Sequence, residues 1–99
     1  MSMRNLRTIK EVLKKNKKLL EENYKIKVIG VFGSYSRGDL NKNSDIDILV
    51  EFSETPDFFE FIRLEKFLEG LLRIKVDLVT RDALKALIKN EILKETIYI

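Results

Sequence analysis

Two aspartates one residue apart, at the head of an apolar run, are the first residues able to do chemistry: Asp45-Ile46-Asp47-Ile48-Leu49-Val50. In a strand, residues i and i+2 leave the same face about 6.5–7 Å apart, so Asp45 and Asp47 project together while Ile46, Ile48 and Val50 face a core. Two carboxylates side by side repel and lower strand propensity, a cost that makes sense where a divalent cation sits between them. Magnesium suits such a pair, because it takes carboxylate oxygen and keeps water or phosphate oxygens as its other ligands. A lone pattern of this kind is common by chance, and taken alone it more often marks an exposed strand end kept soluble by two acids.

Two further pieces share that ambiguity when taken singly. Gly33-Ser34 directly follows an apolar run. Glycine lets backbone approach a ligand, a following helix N-terminus offers free N–H groups to phosphate, Ser34 adds a hydroxyl, and Arg37 adds a forked cation. An ordinary strand-to-helix turn capped by Ser34 would look the same. Asp77, inside Lys75-Val76-Asp77-Leu78-Val79, is an acid in a β-branched strand. It either faces solvent or completes a three-acid cluster from a strand about 4.8 Å away.

Taken together the pieces make a plan for phosphoryl transfer. Two-metal sites clamp the attacking and leaving oxygens of an in-line displacement. Asp45 and Asp47 would bridge two magnesium ions, and Asp77 would bind the one carrying the acceptor hydroxyl and help take its proton. Gly33, Ser34 and Arg37 would hold the β- and γ-phosphates.

The elements that must position these residues follow from periodicity. Leu6, Ile9, Val12, Leu13, Leu19 and Leu20 predict an amphipathic helix over 4–23. Residues 25–32 and 45–52 read as strands, joined by a turn at 33–39 that opens a short helix and a loop at 41–44. Thr55 as cap and Pro56 at the first position predict a helix to about Leu72. Residues 74–79 read as a third strand and Thr80 or Asp82 caps a last helix to about Lys89, with 92–99 readable as helix or strand. This order predicts one α/β domain over residues 1–99, an α+β two-layer arrangement in which helices cover one face of a small sheet.

Composition narrows the chemistry further. The chain has 99 residues with no Cys and no His, which excludes disulfides, thiolate nucleophiles, imidazole bases and zinc held by either residue. Carboxylates, hydroxyls, Lys, Arg and oxygen-ligated cations remain. The net charge of +3 hides an asymmetry: residues 1–20 carry seven Lys/Arg and one acid, whereas 39–69 carry nine acids and three bases. The basic segment reads as a solvated helix face; without interleaved aromatics it argues against nucleic acid as a direct ligand. No apolar run is long enough to span a bilayer and no signal-peptide pattern is present, so a cytoplasmic location without membrane contact is expected.

Gly33-Ser34-Tyr35-Ser36-Arg37-Gly38-Asp39, then Ser44-Asp45-Ile46-Asp47, then Val76-Asp77-Leu78-Val79 resembles the minimal nucleotidyltransferase (MNT) family of the DNA polymerase beta superfamily. The combination is specific where each piece was not, and the likeness covers nearly the whole chain. Ser36 stands where Ala is frequent in that family, which affects nothing essential. The resemblance implies a KNTase-like nucleotidyltransferase core, Mg2+ dependence with two ions, and ATP as substrate. By position, Asp45, Asp47 and Asp77 match the metal-binding catalytic acids, and Gly33 and Ser34 the nucleotide-binding turn.

Members of this family are often antitoxins of HEPN-domain ribonuclease toxins, silencing the toxin by transferring AMP to its tyrosine. The resemblance therefore implies AMPylation of a HEPN partner in a type VII-like toxin–antitoxin pair. Larger relatives carry a second domain for the acceptor, so here a partner surface would complete the site. The N-terminal helix and Ile97-Tyr98-Ile99 are candidates for that contact, although core packing is the more usual role for such segments. The competing expectation is a non-catalytic antitoxin that masks its partner by binding alone. Assembly state, homo- or hetero-oligomeric, is left open.

Overall fold

The computed structural model describes residues 5–33, 36 and 45–99. The expected turn after Gly33 with its Ser34 cap, Arg37, and the loop at 41–44 lie outside them, Ser36 excepted.

The single helix expected over 4–23 is two: α1 (Leu6–Lys15) and α2 (Lys17–Tyr24). Apolar spacing continues across the break, which explains the expectation. Asn16 interrupts it, with φ −101° and ψ 4° and its side-chain amide donating to the Val12 carbonyl at 2.8 Å. A residue whose side chain competes for backbone partners favours such a junction. Asn5 caps α1, accepting from the Thr8 amide at 2.8 Å.

Strand β1 (Ile26–Phe32) pairs antiparallel with β2 (Ile46–Phe52). The chain then crosses through α3 (Phe58–Leu72) to β3 (Val76–Thr80), which lies parallel to β2. Parallel neighbours need such a crossover. The cap of α3 is Asp57, not Thr55 with Pro56 at the first turn. Asp57 and Glu60 form a reciprocal capping box, the Asp57 carboxylate accepting from the Glu60 amide at 2.8 Å and the Glu60 carboxylate from the Asp57 amide at 3.3 Å.

The last helix also starts later and runs further than expected. A 3-10 turn at Arg81–Ala83 ends at the extended residues Leu84 and Lys85, and α4 spans Ala86–Glu95. The C-terminal segment then resolves as a short strand, β4 (Ile97–Tyr98), antiparallel to β1. The sheet order is β3-β2-β1-β4. Among the described residues this makes four α-helices and a four-stranded mixed sheet, an α+β arrangement.

The core lies between one sheet face and α1, α2 and α3. Ile9, Leu13, Leu20, Leu64, Leu68 and Leu72 pack against Ile29, Val31, Ile46, Ile48, Val50, Val76 and Leu78. Burying such side chains contributes about 1.5–3 kcal/mol each before entropy is counted. The N-terminal helix is thus part of the core, as is Ile99 at its margin, while Tyr98 is half exposed. Strand alternation then leaves Asp47, Leu49, Asp77 and Val79 on the opposite sheet face. No helix among the described residues is long and apolar enough to cross a membrane.

Candidate active site

Strand register gathers the acids that the sequence singled out. Asp47 is the second residue of β2 and is flanked by Phe32 on β1 and Asp77 on β3. Asp77 is the second residue of β3, so the two carboxylates occupy equivalent rungs of a parallel ladder. Asp45 stands just before β2, where the Ile46 amide donating to the Lys75 carbonyl at 2.9 Å carries the ladder to the strand's first residue. Asp47 is half-buried; Asp45 and Asp77 are exposed. The backbone thus brings the three acids to one end of β2 and β3, with Asp45 and Asp77 open to solvent.

Gly33 closes another side. It follows β1 directly, with φ +73°, in the left-handed region that other residues enter at a cost of roughly 1–2 kcal/mol. A Cβ at this position would collide with the Asp47 carboxylate. Glycine is therefore required twice over, for the turn and for the close approach of Asp47. The Gly33 carbonyl accepts from the Ser36 amide at 3.1 Å and the Ser36 hydroxyl at 2.9 Å. Its amide donates to the Glu95 carboxylate at 3.1 Å.

Glu95 is the residue that the sequence did not single out. It ends α4, sixty-two positions from Gly33, inside a stretch readable as helix or strand. No local pattern signals such a contact. Ser34 and Arg37, expected to hold phosphate, lie outside the described residues.

Oxygen-only donors on neighbouring strands fit a hard cation such as Mg2+ in their chemistry. In this arrangement of side chains, no three acids among the described residues lie close enough to share one ion. Backbone register decides which rungs carry carboxylates, and rotation about χ1 decides where their oxygens point.

A cleft of about 460 Å³ lies elsewhere, at the far end of β2 and β3, lined by Glu51, Phe52, Thr80 and Arg81 among others. Arg81 and Glu51 form an ion pair there at 3.6 Å. It is separated from Asp47 by the length of the strand and is not part of the acidic cluster.

Comparison with known proteins agrees with this fold. The nucleotidyltransferase domain family matches residues 9–99. The protein adenylyltransferase MntA of Thermococcus cleftensis is 46% identical over 99 residues, covering the whole of both chains. A Methanocaldococcus jannaschii protein, provisionally named a protein adenylyltransferase, is 56% identical over 82 residues, 83% of this chain and 95% of that one. Among solved structures, a provisionally assigned minimal nucleotidyltransferase superposes with a TM-score of 0.75 at 33% identity, covering 98% of this chain and 95% of that one. A toxin–antitoxin structure with AMP-PNP gives 0.71 at 34% identity, covering 86% and 69%. A structure of a tri-AMPylated Shewanella oneidensis HEPN toxin in complex with an MNT antitoxin gives 0.65 at 28% identity, covering 91% of this chain and 70% of that one.

Proposed function

The chain belongs to the nucleotidyltransferase domain family, and from that premise we propose that it transfers AMP from ATP to a tyrosine hydroxyl of a HEPN toxin, acting as the antitoxin of the pair. Relatives named protein adenylyltransferase support the transfer of AMP to protein. The complex of an MNT antitoxin with a tri-AMPylated HEPN toxin supports the partner and the modification. The observation that carries the reading is the adjacency of Gly33 to Asp47 and of Asp47 to Asp77 at one end of the strands.

Asp45, Asp47 and Asp77 would hold magnesium once their side chains turn toward one another, and the ion would supply neutralisation of charge on the attacking and leaving oxygens. The triphosphate lies along the turn after β1, where Gly33 removes the bulk that would separate backbone from Asp47. Ser34 and Arg37 hold the β- and γ-phosphates. The acceptor oxygen bonds to the α-phosphorus as the bond from that phosphorus to the α,β-bridging oxygen breaks. Pyrophosphate leaves with the electron pair, and Asp77, the exposed acid of the rung, takes the hydroxyl proton. The partner's surface supplies the wall that orients its own hydroxyl.

The test is direct. The purified chain, given Mg2+, labelled ATP and its toxin, labels the toxin, and Asp45→Asn/Asp47→Asn abolishes both labelling and neutralisation in cells. Neutralisation that survives this double substitution would replace transfer by masking.

A further inference from the structure

Gly33 has neither backbone polar group to spare: Ser36 occupies its carbonyl and the Glu95 carboxylate its amide. Two features make the Glu95 contact a consequence of the fold. Counting on from the pair Val31–Ile97 of the antiparallel β1–β4 ladder, Gly33 comes opposite Glu95. Glu95 is also held from both sides. Ahead of it is the last turn of α4, where the buried Thr96 returns its amide and hydroxyl to the Ile92 carbonyl at 3.0 and 2.6 Å. Behind it is β4, which lies so close to β1 that a Cβ on Gly30 would approach Thr96 Cγ2 to 2.5 Å. The C-terminal end of the chain thus delivers a carboxylate to the turn beside Asp47.

We propose that Glu95 is a positioning residue: by accepting from the Gly33 amide it holds Gly33 in the left-handed conformation that admits the Asp47 carboxylate, and nucleotide binding at this end of the strands depends on that conformation. The proposal rests on the nucleotidyl-transfer reading for its consequence, though the hydrogen bond itself does not. The accepted hydrogen bond is what matters, not the charge. A carboxylate near a triphosphate is electrostatically unfavourable, and a neutral acceptor of the same length does the work as well.

Glu95→Ala, Glu95→Gln and Glu95→Asp in the full chain separate these possibilities. Mg2+·AMP-PNP binding by calorimetry weakens about tenfold in the Ala variant, the scale of one lost hydrogen bond. Gln stays within about threefold of the parent. Asp keeps the charge but falls one methylene short, and it behaves as Ala does, which also serves if the Ala chain folds poorly. With partner present, KM for ATP rises about tenfold in Ala while kcat changes less, because the defect lies in holding the nucleotide. Without nucleotide or metal, the Gly33 amide proton resonance moves upfield and exchanges faster in Ala and not in Gln.

AMP-PNP affinity unchanged in Ala and Asp, or lost equally in Gln and Ala, overturns the proposal. A parent chain that binds no AMP-PNP overturns the transfer reading instead and removes the stated consequence. The Gly33 resonance in the same Ala sample still decides whether Glu95 holds the turn.

Discussion

Asp77 stands in register with Asp47 across the parallel β2–β3 ladder, so the fold places two like charges on neighbouring rungs of one sheet face. Side by side, like charges destabilise a sheet by about 0.2–1 kcal/mol. Asp77→Asn should therefore leave the melting temperature unchanged or slightly raised. On the proposed mechanism, AMP transfer to the partner should fall at least about a hundredfold, since the acid assigned to the cation and to the proton is gone. Activity is lost without loss of stability. A variant that loses stability together with activity would make Asp77 a structural residue.

Gly33 is the second place where geometry sets a sharp expectation. Gly33→Ala introduces a Cβ into the Asp47 carboxylate and forces a left-handed φ of +73° on a residue that resists it. Stability should drop by at least about 1 kcal/mol from the backbone alone, and nucleotide binding should be lost. Adding Asp47→Ala should recover the part of the loss that comes from the collision, and none of the part that comes from φ. A denaturation double-mutant cycle reads that coupling directly; additive losses would mean that the carboxylate does not press on the glycine.

What could be seen in the sequence, and what could not, divides along the range of the interaction. The acids were legible because strand alternation is local: Asp45 and Asp47 share a face whatever surrounds them, and Asp77 needs only a neighbouring strand. Gly33 was legible by type and place, at the end of an apolar run. The break at Asn16 was not, because apolar spacing runs straight through it and only a side-chain bond to Val12 ends α1. At α3 two start signals competed, and the Asp57–Glu60 capping box prevailed over Thr55-Pro56. Glu95 was invisible for a different reason: its role arises from β4 adding to β1, a pairing that no window of sequence contains.

The helix ends hold a stabilising substitution that leaves the site alone. Arg73 closes α3 at φ +56°, its amide donating to the Glu69 carbonyl at 2.8 Å, and its side chain is exposed. Glycine is favoured at such a left-handed position and would keep the same amide bond. Arg73→Gly should raise unfolding free energy by about 0.5–1 kcal/mol, measured by denaturant titration, with AMP transfer unchanged. A loss of stability would mean that the Arg73 side chain contributes more than its exposure suggests.

The same end of α3 carries a pH-dependent tie to the strand that bears Asp77. The Glu69 carboxylate accepts from the Val76 amide at 3.0 Å and pairs with Lys66 at 3.5 Å. The backbone hydrogen bond from Val76, aided by the nearby Lys66 and Lys75 charges and opposed by desolvation, holds its pKa below the ordinary carboxylate value. The unfolded chain therefore takes up this proton first as pH falls. The stabilisation is complete above the ordinary carboxylate pKa and is lost as pH drops through it toward the depressed folded value. Glu69→Ala should lower unfolding free energy at neutral pH, and the gap to the parent should narrow steadily in acid. Glu69→Gln, which can still accept from Val76, should lose less at pH 7 and show a flatter profile. A gap that stays constant from neutral to strongly acidic pH would mean that the carboxylate's charge plays no part in tying α3 to β3.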